Sequence, residues 1–174
     1  EFESLNGPPL EEVARRLALA HGLTDAHEAL LAALKARAAE AHAAAAPAAG
    51  AREVLREAQA FGWRIAVVTS APGQSARAWI DRVGLDPYVD ILVHGEAVSR
   101  GKPDPEPYRL AAARLGCAPG ACVAVEDSVQ GASAALAAGA PTYVLGPEVT
   151  AALAGHPLMI GTLARFADLG AILR

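Results

Sequence analysis

The 174 residues suit one domain with at most a small appendage, and 53% hydrophobic against 20% charged residues leaves room for a sizeable core. Fifteen Lys+Arg against 19 Asp+Glu give a net charge of −4, which excludes a basic nucleic-acid footprint and a polybasic membrane patch. No apolar run approaches the ~18–20 residues of a membrane span. The opening Glu1-Phe2-Glu3-Ser4 lacks the basic and apolar regions of a secretory signal, so the expected compartment is the cytoplasm.

Residues 1–48 read as purely helical. Pro8 and Pro9 fit a first helical turn, after which Leu10, Val13, Leu17 and Ala20 recur at helical spacing up to Gly22. Thr24 or Asp25 suits the cap of a second helix, which carries Leu30, Leu31 and Leu34 and runs into an alanine tract broken by Pro47. From Gly50 the texture changes to alternating helix and strand. Residues 51–61 have a helical apolar stripe that ends at Gly62, and residues 65–68 are a continuous apolar run ending in Thr69 and Ser70. Such a run is expected of a strand covered on both faces. A helix over about residues 74–83 and a short strand at 91–93 follow. Asp104 then opens a helix that closes near Gly116. Residues 122–125 form a second buried strand ending in Glu126 and Asp127, followed by a helix over about 130–138. Residues 142–145 are a third buried strand, and residues 158–160 are a candidate fourth. This alternation predicts an α/β fold with a three-layer, doubly wound parallel sheet.

In open parallel sheets, ligands bind beyond the carboxyl ends of the strands, and the candidate site residues are sought there. Thr69 and Ser70 offer a hydroxyl and backbone N–H groups suited to phosphate oxygens, although such a pair also serves as a plain helix cap. Glu126 and Asp127 are hard oxygen donors of the kind Mg²⁺ prefers, with helix capping by Asp127 as the competing role. Gly101 and Pro103 constrain the backbone on both sides of Lys102, so that its ammonium can be presented as a fixed point charge to a phosphoryl group. Cys117 and Cys122 flank a Gly/Pro turn without the second pair a zinc site needs, and read as reduced structural thiols. The five histidines make no HExxH or other ligand spacing.

Taken in order, Thr69, Lys102 and the pair Glu126 and Asp127 resemble motifs two, three and four of the haloacid dehalogenase superfamily. The stretches GKPDPEPY and VEDSVQGASAALAAG are most similar to its beta-phosphoglucomutase and phosphoglycolate-phosphatase branch. The resemblance spans residues 50–147, and residues 2–45 resemble the latter part of that branch's helical cap. It implies a Rossmann-like core over residues 49–174 and a partial helical cap over 1–48. It also implies roles: Thr69 and the Ser70 N–H bind the phosphoryl group, catalytic Lys102 bridges that group and the nucleophile, and Glu126 and Asp127 hold Mg²⁺. In such proteins an aspartate attacks phosphorus to give an aspartyl-phosphate, and a second aspartate acts as acid and base.

The superfamily's first motif, a strand ending in Asp-x-Asp-x-Thr, is not among these residues, which contain no Asp-x-Asp at all. The core is therefore expected to lack its first and middle strand, with the strands ending at Thr69 and Asp127 on either side of the gap. The 174 residues alone are expected not to turn over. Pro8, Pro9 and Leu10 stand where the mutases' cap carries a phosphate-gripping arginine, which favours a phosphatase. The expected function is a Mg²⁺-dependent phosphatase of small phosphorylated metabolites, with no nucleic-acid or membrane partner. Its alternatives are a hexose-phosphate mutase and a non-catalytic relative that binds a ligand or partner.

Overall fold

The computed structural model describes residues 10–173, and the chain divides into two compact units between Ala45 and Ala46. In the first, α1 (Leu10–Ala20) buries Val13, Ala14 and Ala18 on one side. A 3-10 turn, Thr24–Ala26, leads to α2 (His27–Ala44), which packs against α1. Lys35 reaches back across this pair to Glu11 at 2.9 Å. The helical reading of Leu10, Val13 and Leu17 holds, whereas Pro8 and Pro9 lie outside the described residues.

The second unit opens with α3 (Ala51–Ala60), whose buried Ala51, Val54 and Ala58 recur at helical spacing. Then come β1 (Ala66–Val68), α4 (Gly73–Arg82), β2 (Ile91–Val93), α5 (Glu106–Leu115), β3 (Ala124–Glu126), α6 (Val129–Ala138), β4 (Thr142–Leu145), α7 (Pro147–Ala152) and β5 (Met159–Leu163). A 3-10 segment, Phe166–Ala171, follows and packs on α3. The helix expected from Asp104 begins at Glu106, because Pro105 takes the cap position. Asp104 still serves it, since its Oδ1 accepts the Glu106 N–H at 2.9 Å. The expected fourth strand continues to Leu163 as β5.

All strand pairs are parallel, as expected, but the described strands divide into two sheets. β1 pairs with β2 in the register Ala66↔Ile91 to Val68↔Val93. β3, β4 and β5 form the second sheet in that order. Period-two alternation sorts the faces of the second sheet. Val125, Tyr143 and Leu145 pack with Val54 of α3, whereas Ala124 and Val144 pack with Ala135 and Ala132 of α6. Helices thus cover both faces, giving three layers.

β1 and β3 are not hydrogen-bonded to each other. Between them runs an open groove of about 390 Å³ walled by Ala66 and Val68 on one side and Val123 and Ala124 on the other. Its floor is α5, through Tyr108, Ala111, Ala112 and Leu115. α5 packs against β1, β2 and α6, so it spans the division. Among the described residues each flanking strand keeps one edge without a neighbouring strand.

Candidate active site at the carboxyl ends of β1 and β3

The first wall of the site is a loop held by another loop. β1 ends at Val68, and the Thr69 N–H donates to the Val93 carbonyl at 2.9 Å, extending the β1–β2 ladder by one bond. Thr69 Oγ1 accepts the Ala71 N–H at 3.1 Å, which curls residues 69–71 into a hydroxyl-stabilised turn. From the end of β2, the Gly95 N–H donates to the Ala71 carbonyl at 3.1 Å and Glu96 accepts the Gly73 N–H at 2.9 Å. A Cβ on Gly95 would lie 2.6 Å from the Ser70 carbonyl oxygen, so this close approach of two loops requires glycine. Thr69 is half-buried and Ser70 is exposed at the opening of α4.

The second wall is β3. Glu126 follows Ala124 on the face toward α5 and α6, and its side chain is 7% exposed. Gly131 in the first turn of α6 makes room for it, because a Cβ there would stand 2.1 Å from Glu126 Oε2. Ser128, not Asp127, caps α6, accepting the Gly131 N–H at 3.1 Å. The helix-capping role that competes for Asp127 is therefore taken, and Asp127 is left exposed.

Lys102 joins the walls. Its Nζ donates to the Val68 carbonyl at 3.1 Å and forms a close ion pair with Glu126 Oε1, at 12% side-chain exposure. The Lys102–Pro103 peptide bond is cis. Tyr108, from the first turn of α5, donates its hydroxyl to the same Glu126 oxygen, and Lys102 Nζ stands 5.4 Å from the Tyr108 ring centroid. Burial, and then the negative charge of Glu126, holds the Tyr108 phenol well above its ordinary range, so it remains a donor. The loop carrying Lys102 is clasped from α5. The Glu106 carboxylate accepts the N–H groups of Ser99 at 2.7 Å and Arg100 at 3.0 Å.

The structure therefore brings Lys102, Glu126 and the end of β1 together, with Thr69 one residue beyond the carbonyl that Lys102 holds. Asp127 and Ser70 lie at the same strand ends without a side-chain bond to that cluster. Sequence reasoning missed Tyr108, whose aromatic spacing in α5 carries no sign of a partner 18 positions away. It also missed Gly131 and the 94–96 loop. Among the described residues no group of three or more His, Cys, Asp or Glu forms a metal cage. Two carboxylates are nonetheless the donor set Mg²⁺ takes when substrate oxygens and water complete its shell. With a buried cation between a loop of backbone amides and two carboxylates, the cluster can hold a phosphoryl group and neutralise its charge.

The profile of the haloacid dehalogenase-like hydrolases matches residues 8–139. A phosphorylated carbohydrates phosphatase of Thermotoga maritima is 40% identical over 90 residues, covering 52% of this chain and 42% of that protein. A phosphoglycolate phosphatase of Rhodospirillum rubrum is 38% identical over 142 residues, 76% of this chain and 58% of that protein. Among solved structures, a HAD family hydrolase from Deinococcus radiodurans with bound phosphate and sodium gives a TM-score of 0.70 at 29% identity, covering 97% of this chain and 76% of that one. The matches span less than two thirds of either phosphatase's length. The profile runs over well more than half of the chain and takes in Thr69, Lys102, Glu126 and Asp127, so the chain belongs to the haloacid dehalogenase-like hydrolases.

Proposed function

We propose that these residues are the phosphate-, lysine- and metal-bearing part of a Mg²⁺-dependent phosphatase of small phosphorylated metabolites. The observation that carries the reading is Lys102, whose buried ammonium spans the groove from the Val68 carbonyl to Glu126. A scaffold has no need to bury that charge between two strand ends, whereas phosphoryl transfer needs a fixed cation there. In this reading Thr69 Oγ1 and the Ser70 N–H hold phosphoryl oxygens, and Lys102 draws negative charge from the transferring group toward itself. Tyr108 holds Glu126 in place by hydrogen bonding. Mg²⁺, held by the carboxylates of Glu126 and Asp127, would supply further charge neutralisation when bound. Residues 49–174 serve as the core and residues 1–48 as part of a helical cap.

The nucleophile is an aspartate on a strand that would lie between β1 and β3, and no Asp-x-Asp within the 174 residues supplies it. Its carboxylate attacks phosphorus, the alcohol leaves with a proton from a second aspartate, and water then discharges the aspartyl-phosphate. The phosphatase reading is preferred to a hexose-phosphate mutase because the relatives described above are named as phosphatases. The test is to add an upstream segment carrying Asp-x-Asp-x-Thr and assay a small phosphomonoester with and without Mg²⁺. Hydrolysis is expected only in the extended protein with Mg²⁺, and Lys102→Ala should lower it by roughly a hundredfold or more. Equal hydrolysis by the 174-residue chain alone would sink the assignment of the nucleophile. Failure of the extended, folded protein to hydrolyse any phosphomonoester, with the 174-residue chain still binding phosphate, would favour a non-catalytic binding protein.

A further inference from the structure

Cys117 and Cys122 belong to neither the phosphate loop nor the carboxylate pair. Gly116, at φ 73, closes α5 and reverses the chain, and the Cys117 N–H donates back to the Ala112 carbonyl at 3.0 Å. The 3-10 turn Pro119–Ala121 then returns the chain, fixed by Ala121 N–H to Ala118 and Cys122 N–H to Pro119 hydrogen bonds. The result places the two thiol sulfurs 3.3 Å apart, both free and both half-buried at the groove wall. Four intervening residues of tightly hydrogen-bonded chain hold them there, so the remaining approach to bonding distance is on the order of 1 Å.

We propose that Cys117 and Cys122 form a redox-active dithiol, which a low-molecular-weight disulfide such as oxidised glutathione converts to an intramolecular disulfide. Burial, and then the neighbouring Cys117 thiol, pushes the Cys122 thiol up to about 11, which suits Cys122 to the second, resolving attack. The Cys117 thiolate attacks one glutathione sulfur, the glutathione disulfide bond breaks, and one glutathione leaves and takes up a proton. Cys122 then loses its proton, attacks the Cys117 sulfur of the mixed disulfide and expels the second glutathione as a thiol. The two cysteines together lose two electrons and two protons, and oxidised glutathione gains both. The bond formed ties the end of α5, the floor of the groove, to the entrance of β3, at the end of that strand away from Glu126.

The test uses the 174-residue chain and does not depend on phosphatase activity. The folded protein is incubated with oxidised glutathione at mildly alkaline pH, quenched in acid, unfolded, alkylated and weighed by mass spectrometry. The expected product has lost two hydrogens, takes up no alkylating agent, carries no glutathione, and returns to the dithiol with dithiothreitol. Cys122→Ser, which cannot resolve the intermediate, should accumulate a single glutathione adduct on Cys117. Stable glutathione adducts on the unsubstituted chain, or disulfide-linked dimers, would overturn the proposal. So would two untouched thiols under conditions in which the urea-unfolded chain is oxidised.

Discussion

The two sheets present the same kind of strand end on different supports. In β1 and β2 only Val93 is buried, and the useful groups are on loops 69–73 and 94–96, fixed to each other by backbone and carboxylate hydrogen bonds. In the second sheet Val144 and Thr142 are fully buried, helices cover both faces, and Glu126 is wedged against Gly131. The Thr69 side thus owes its shape to local hydrogen bonding, and the carboxylate side owes its shape to packing. Lys102 and α5 are what hold one against the other. A site divided in this way should be sensitive first to the bridge, then to what positions the bridge, and least to the clasp on its loop.

Lys102→Ala should have the largest effect. It leaves the nearly inaccessible Glu126 carboxylate without its cation, and removing one partner of a buried pair costs on the order of 3–5 kcal/mol. Urea unfolding measures the loss. Hydrogen exchange should show the β1 and β2 amides losing more protection than those of β3 to β5. A shift under about 1 kcal/mol would mean that the ion pair does not couple the sheets. Tyr108→Phe keeps the ring under Lys102 and removes only the hydroxyl given to Glu126, with an expected loss of about 2 kcal/mol, the scale of a hydrogen bond to a charged group. An equal loss for both variants would assign the bridge to Glu126's hydrogen bonding and not to its charge.

Gly131→Ala should cost less. The new methyl meets Glu126 Oε2, which overpacking alone would make worth about 1–3 kcal/mol, but alanine in place of glycine inside a helix returns about 1 kcal/mol. The net change in stability should be near 1 kcal/mol, and the diagnostic change should be a displaced Lys102, visible as altered chemical shifts of its ε-protons. Unchanged shifts would show that Glu126 yields without disturbing the bridge.

The strand ends were legible in the sequence because buried parallel strands are continuous apolar runs and each broke off at a polar pair: Val68 before Thr69, Val125 before Glu126. Lys102 was legible through its glycine and proline neighbours. The separation of β1 from β3 agrees with the sequence-based expectation that these two strands are not paired with each other. What could not be read was lateral. Tyr108 sits in a helix whose periodicity gives it an inward face but no acceptor, and the 94–96 loop touches 69–73 only because β1 and β2 are in register. The thiols looked inert for the same reason, since spacing alone does not say that a 3-10 turn brings their sulfurs together.

The smallest effect belongs to Glu106 and is best seen through pH. Its carboxylate lies below its ordinary value of 4.5, first because the Ser99 N–H donates to it and then through Arg100, whose N–H and guanidinium both reach it. A depressed carboxyl stabilises the fold fully above the unfolded value and loses that contribution as pH falls through the folded one. The window is therefore below pH 4.5, and nothing should change on the alkaline side. Because the group is only half-buried, water and salt screen it and the gain is small. The measurement is a carboxyl ¹³C titration with amide exchange of residues 99–106. Glu106 should titrate with a midpoint below 4.5, and Ser99 and Arg100 should lose protection as it protonates. Glu106→Gln, which keeps an acceptor oxygen but no charge, should remove the pH dependence while leaving the Ser99 amide partly protected at neutral pH. If the loop opens with a midpoint at or above 4.5, the clasp does not position Lys102.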